Sequence, residues 1–252
     1  MNRRYLLAAL PALALLLAAS PRRQQGRRPR PVPPPIPLAD SVKVMIETEF
    51  GPIEFELDGK HAPISTANFL RYVDARTFDG ITFYRAMRLA WGDQPNGLIQ
   101  SGQRDPRRRF PAIAHEPTDQ TGLRHKAGAL SMARYAPGTA TADFSILLSD
   151  MPGLDADPAS ADPELRAGYA VFGHVAAGMD VVRKIWDAPI SATEGEGVFR
   201  GQMLAPPIKV LRMHRMPLPG EGRGLGQVQT TLVQKRPEAP AFAGERRGNV
   251  LG

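Results

Sequence analysis

The 252-residue chain has no cysteine, 24 glycines, 25 prolines and a formal net charge of +7. Lacking cysteine, it cannot form disulfides, thiolate zinc sites or iron–sulfur clusters, nor use a cysteine nucleophile. A pI near 10.0 suggests a nucleic-acid binder, but the charge lies in the flanks. Residues 1–39 carry seven arginines and no acid, residues 217–252 five basic and three acidic groups, and residues 40–216 a net −2. No domain is basic, so nucleic acid is not an expected partner.

Asn2, Arg3 and Arg4 precede an apolar run over residues 5–19, the layout of a secretory signal. The run is too short to cross a hydrocarbon core of about 30 Å comfortably. Cleavage after Ser20 would leave Ala18 and Ser20 at the small-residue positions. Residues 1–20 are therefore predicted to be a signal peptide, and the protein to be periplasmic or secreted. Pro21 and the arginines that follow suit translocation poorly. Retention as an inner-membrane anchor is one alternative, and a start codon misplaced ahead of a cytoplasmic protein is another. Residues 21–39 are rich in arginine and proline, and PRPVPPPIP at 29–37 predicts a stiff polyproline II spacer.

Residues 40–216 are predicted to form one domain. Val42, Val44 and Ile46 alternate with polar residues, Phe50-Gly51-Pro52 supplies a turn, and Ile53, Phe55 and Leu57 alternate again. That pattern is a hairpin with one apolar and one acidic face. Pro63 suits a first helical turn, with Thr66, Phe69, Leu70 and Val73 on one face behind it. Short strands are expected at 81–86, 98–101, 128–133, 144–148, 170–175 and 207–214. A second helix is expected at 178–187, where Met179, Val182, Ile185 and Trp186 share a face. Many short strands with two helices indicate a mainly β domain, an antiparallel barrel or sandwich. Residues 217–252 have no sustained apolar period and are predicted to be a disordered tail.

The five histidines show no zinc spacing, and no GxSxG elbow is present. Glu47, Glu49, Glu54 and Glu56 read as a solvated hairpin face. No metal or cofactor is implied.

Several segments in order carry a family resemblance. They are Thr82-Phe83-Tyr84-Arg85, Leu98-Ile99-Gln100-Ser101-Gly102, Gly128-Ala129-Leu130-Ser131-Met132-Ala133, Phe144-Ser145-Ile146-Leu147, Leu154-Asp155 and Tyr169-Ala170-Val171-Phe172-Gly173. With the opening hairpin and the helix after Ala62-Pro63, this resembles the cyclophilin-type peptidyl-prolyl cis–trans isomerases. The resemblance implies a closed eight-stranded antiparallel β-barrel capped by two α-helices. It further implies a monomer that acts on proline-containing polypeptides.

It implies Arg85 and Gln100 as catalytic residues: a permanent cation aimed at the prolyl nitrogen, and an amide that steadies it and binds substrate backbone. Substrate contacts would come from Leu98, Ala133, Phe144, Leu154 and Tyr169, the last at a position usually held by histidine. Departures accompany these matches. The gap between Arg85 and Gln100 is longer than usual and contains Trp91, the candidate for a displaced pocket aromatic, with a core tryptophan as its other reading. The pocket-floor phenylalanine falls on Ser145, a groove asparagine on Arg134 and a groove glutamine on Asp143. The tryptophan tied to cyclosporin binding falls on Gly153, so weak cyclosporin binding is expected. Residues 156–168 form an insertion beside the groove.

The leading expectation is an exported isomerase that assists folding of envelope or secreted proteins. One alternative is a weakly active or inactive module that holds proline-containing segments. Another is that the basic flanks hold the domain to an anionic membrane surface.

Overall fold

The computed structural model describes residues 38–217. The expected signal at 1–20, most of the 21–39 spacer and all but the first residue of the 217–252 tail lie outside the described residues.

Strand β1 (Ser41–Thr48) and strand β2 (Gly51–Asp58) form the expected hairpin. Their apolar alternates are buried, and Gly51 takes the turn with φ 127°, a conformation that favours glycine. Helix α1 (Pro63–Asp74) follows, then β3 (Thr82–Arg88) and β4 (Gly97–Gly102). A single-turn helix α2 (Thr118–Thr121) leads to β5 (Ala129–Met132) and β6 (Phe144–Leu147). The 156–168 insertion holds the short helix α3 (Pro163–Ala167) before β7 (Val171–Ala177) and helix α4 (Met179–Asp187). A two-residue strand β8 (Ile190–Ser191) and the long β9 (Met203–Arg215) complete the domain.

All pairings are antiparallel, and the order β1-β2-β7-β5-β6-β4-β3-β9 returns to β1 through Ile46 opposite Met213. Eight strands therefore close into a barrel, with β8 a small addition that pairs only with the start of β9. Closure leaves no long unpaired edge. β9 begins earlier than its apolar pattern indicates because Pro206 and Pro207 lie where its pairing with β3 skips from Ile208 to Met203. An irregular stretch is where proline's missing N–H is tolerated.

Inside the barrel, Phe144 sits at the centre of an aromatic cluster, 5.1 Å from the Phe69 ring, 6.1 Å from Phe55 and 6.3 Å from Phe83. Each such side chain contributes about 1.5–3 kcal/mol by leaving water. Phe144 is 0% exposed, so its expected role as a substrate contact is corrected to core packing. Alternation along β6 explains this, because facing Phe144 inward turns Ser145 outward.

Candidate active site

A β-bulge builds the site. In the pairings of β3 with β4 and with β9, the register shifts between Phe83 and Arg85. Phe83 and Ala86 face the core, while Tyr84 and Arg85, adjacent in sequence, both line one outer groove. Regular alternation would place them on opposite faces, and the bulge re-aims one of them.

The groove has a volume of about 610 Å³. It brings together three of the residues picked from sequence, Arg85, Gln100 and Ala133. Arg85 is half-buried. Its Nη1 donates to Gln100 Oε1 at 2.8 Å, its Nε donates to Gln202 Oε1 at 2.8 Å, and its guanidinium lies 4.5 Å from the Phe199 ring centroid. Burial lowers the Arg85 pKa, against the nearby Tyr84 and Tyr169, but a guanidinium stays charged at physiological pH. The result is a fixed cation at the edge of an open groove.

A polar end of the groove lies past Ala133. The Tyr84 hydroxyl donates to Asp143 Oδ1 at 2.8 Å, and Arg104 stacks 4.5 Å from the Tyr84 ring centroid. Burial raises the Asp143 pKa, opposed by the Tyr84 hydrogen bond and by Arg104 and Arg109. Burial, then Asp143, raises that of Tyr84. Gly102 makes this end feasible, since a Cβ there would stand 2.6 Å from Asp143 Cα. At the rim, Tyr135 is 92% exposed.

The sequence-picked Leu98 and Leu154 do not line this groove. Leu98 shares the outward face of β4 with Gln100, and it pairs across the strands with Met87 and Leu147. Leu147 belongs to a small apolar cluster with Ala129 and Val171, against which Leu154 packs half-buried. These apolar side chains begin one strand repeat, about 7 Å, from the Arg85–Gln100 pair, but Leu98 and Leu147 are buried, at 7% and 0% exposure, and pack rather than face the groove. Tyr169 is held by Arg134, whose guanidinium lies 4.5 Å from its ring centroid. The Arg134 side chain is 1% exposed, and it ties the groove to the insertion by donating to Glu164 at 2.8 Å and to the Gly168 carbonyl at 2.6 Å.

Trp91 is not brought to the groove. It is 69% exposed on the β3–β4 connection, so neither a pocket aromatic nor a core tryptophan describes it. Its loop is internally bonded, with Asn96 donating to the Trp91 carbonyl at 2.6 Å and accepting from Ser149 at 2.7 Å.

The model for the family described as cyclophilin type peptidyl-prolyl cis-trans isomerase/CLD matches residues 43–214. The chain belongs to this family. A peptidyl-prolyl cis-trans isomerase of Acinetobacter baylyi is 38% identical over 151 residues, covering 59% of this chain and 73% of that protein. Peptidyl-prolyl cis-trans isomerase A of Dickeya dadantii is 33% identical over 157 residues, covering 60% and 75%. The barrel also matches a cyclophilin-type isomerase crystal structure from Cryptosporidium parvum with TM-score 0.54 and 19% identity, over 71% of this chain and 99% of that one. That likeness concerns the fold.

This cyclophilin is therefore an enzyme of the peptidyl-prolyl cis–trans isomerase class. Sequence reasoning missed Gln202 and Phe199, which lie more than a hundred residues from Arg85, 117 in the case of Gln202. Only the aromatic inside the glycine-rich run at 195–201 hinted at them. Ser145, at the position where the resemblance implies a floor phenylalanine, has Gln100 and Ser131 opposite it on the neighbouring strands. Ser131 in turn meets buried His125, whose Nε2 lies 2.9 Å from the hydroxyl and whose Nδ1 lies 2.7 Å from Asp155 Oδ1. A carboxylate accepts only, so Nδ1 carries the proton and Nε2 accepts from Ser131.

Proposed function

We propose that this cyclophilin accelerates X-Pro isomerisation in exported polypeptides, with Arg85 stabilising the twisted amide. The uncatalysed bond turns over a barrier of about 18–20 kcal/mol set by amide conjugation. Twisting ends the conjugation and localises a lone pair on the prolyl nitrogen. A fixed cationic donor favours that state over either planar one, which is what lowers a barrier. Held in a partly dry groove, it can contribute about 3 kcal/mol, on the order of 10²-fold in rate. No bond to the enzyme forms and no proton need leave the arginine.

The single observation that carries this reading is the Arg85 guanidinium clamped by Gln100 and Gln202 at the edge of the open groove. The groove, about 610 Å³, has room for a prolyl ring beside the guanidinium. Gln100 has an amide N–H₂ left for substrate backbone, since its oxygen serves Arg85. A related Cryptosporidium parvum structure was determined in the presence of the dipeptide Ala-Pro. An export role rests on the 1–20 segment, with the periplasm or extracellular space as the place of action and a monomer as the working form. Fractionation of cells that produce the full chain tests it, and a protein found wholly in the cytoplasm would remove it.

A second reading, a binding module with little turnover, is favoured by Ser145 and by the outward Trp91, neither of which supplies an aromatic wall to the groove. Refolding limited by a proline bond separates the two. Acceleration by the purified protein supports the enzyme. A folded protein that binds X-Pro peptides and leaves the refolding rate unchanged is the module.

A further inference from the structure

An arginine bonded only through Nη1 can still pivot about that contact, and a displaced charge stabilises a transition state poorly. Gln100 alone would leave Arg85 in that condition. The second hydrogen bond, from Arg85 Nε to Gln202 Oε1 at 2.8 Å, removes the pivot. Gln202 is itself fixed. Its Nε2 donates to the Val198 carbonyl at 2.8 Å, its backbone N–H to Phe199 at 3.1 Å, and its carbonyl accepts from Ala86 N–H at 2.9 Å. The same turn sets the Phe199 ring against the guanidinium, 4.5 Å from centroid to Cζ. With Nε and Nη1 engaged, Nη2 makes no hydrogen bond to the described residues and is left to meet a substrate.

We propose that Gln202 is a positioning residue for the isomerisation, acting through Arg85 as the second half of a two-glutamine clamp. This rests on the assignment of Arg85 as the electrostatic group. Gln202 touches the arginine and not the reacting atoms, so it should govern the rate at saturation more than substrate affinity.

The test measures kcat and KM of the full-length protein on a neutral Ala-Pro tetrapeptide, normalised to the folded fraction by near-UV circular dichroism. The variants are Gln202→Leu and Gln202→Glu. Glutamate keeps an acceptor for Arg85 Nε but cannot donate to Val198. Gln202→Leu is expected to lose about ten-fold in kcat with KM within about two-fold, and Gln202→Glu to turn over faster than Gln202→Leu. If Gln202 only closes its own turn, both variants lose the Val198 bond and are impaired alike, which overturns the proposal. Wild-type kcat in Gln202→Leu overturns it as well. A folded wild type without activity removes the Arg85 reading and this one together, whereas an active wild type with indifferent Gln202 variants removes this one alone.

Discussion

The Glu116 carboxylate accepts the backbone N–H of Ile64 at 2.8 Å and that of Ser65 at 2.6 Å, closing the first turn of α1 from 52 residues further along the chain. The residue preceding the helix, Ala62, has no side chain that could cap it. A buried anion at a helix N-terminus also meets the positive end of the helix dipole. Glu116→Ala should therefore cost about 2–3 kcal/mol and lower the thermal midpoint by roughly 4–10 °C, with Glu116→Gln in between. A calorimetric midpoint within about a degree of wild type would contradict this role.

His125 makes stability pH-dependent. It is 1% exposed, and burial lowers its pKa below the ordinary histidine value of about 6.5, with Asp155 opposing. The unfolded chain therefore takes up this proton more readily than the folded one. Stability from the neutral imidazole is complete above about pH 6.5 and is lost as pH falls towards the lower folded pKa. Asp58, with its pKa lowered by the His61 contacts despite burial, loses its contribution only further into acid, and Asp143, raised by burial, acts with the opposite sign there. Urea titrations at pH 7.5 and 5.5 should show a fall in unfolding free energy that His125→Asn reduces. Equal falls in both proteins would assign the dependence elsewhere.

Most of the barrel was legible in the sequence, because each of its eight strands holds a short alternating or apolar stretch, although β3 loses its alternation at the bulge between Phe83 and Arg85. Val42, Val44 and Ile46 face Ile53, Phe55 and Leu57 in the register that alternation demands. The start of β9 was not legible, since two prolines hide a strand that is irregular at that point. At the site, Arg85, Gln100 and Ala133 could be picked because short segments around them carry a pattern. Phe144 was misplaced because a segment matched by family resemblance says nothing about which of two neighbours faces inward, and the hydrophobic interior decides that. Gln202 and Phe199 were invisible for a different reason. Their contact with Arg85 depends on the bulge at Tyr84, a backbone event with no residue signature of its own.

Gly153 offers a gain-of-binding test. Gly153 is exposed, and a Cβ at this position would meet nothing within 4 Å, so the backbone can carry a side chain there. By the family resemblance, the position is the one at which a tryptophan contributes to cyclosporin binding. Gly153→Trp should bind cyclosporin more tightly than wild type by isothermal calorimetry, at an unchanged melting midpoint. Equal binding by the two proteins would place the deficit elsewhere, with Ser145 the next residue to exchange.

The most direct measurement compares wild type with Arg85→Ala by NMR exchange on a saturating Ala-Pro peptide, reading the bound isomerisation rate and the dissociation constant separately. A guanidinium that acts on the twisted state alone predicts a rate lower by about 10²-fold with affinity changed little. An Arg85→Ala protein that binds the peptide far more weakly yet interconverts it at the wild-type rate would contradict the account.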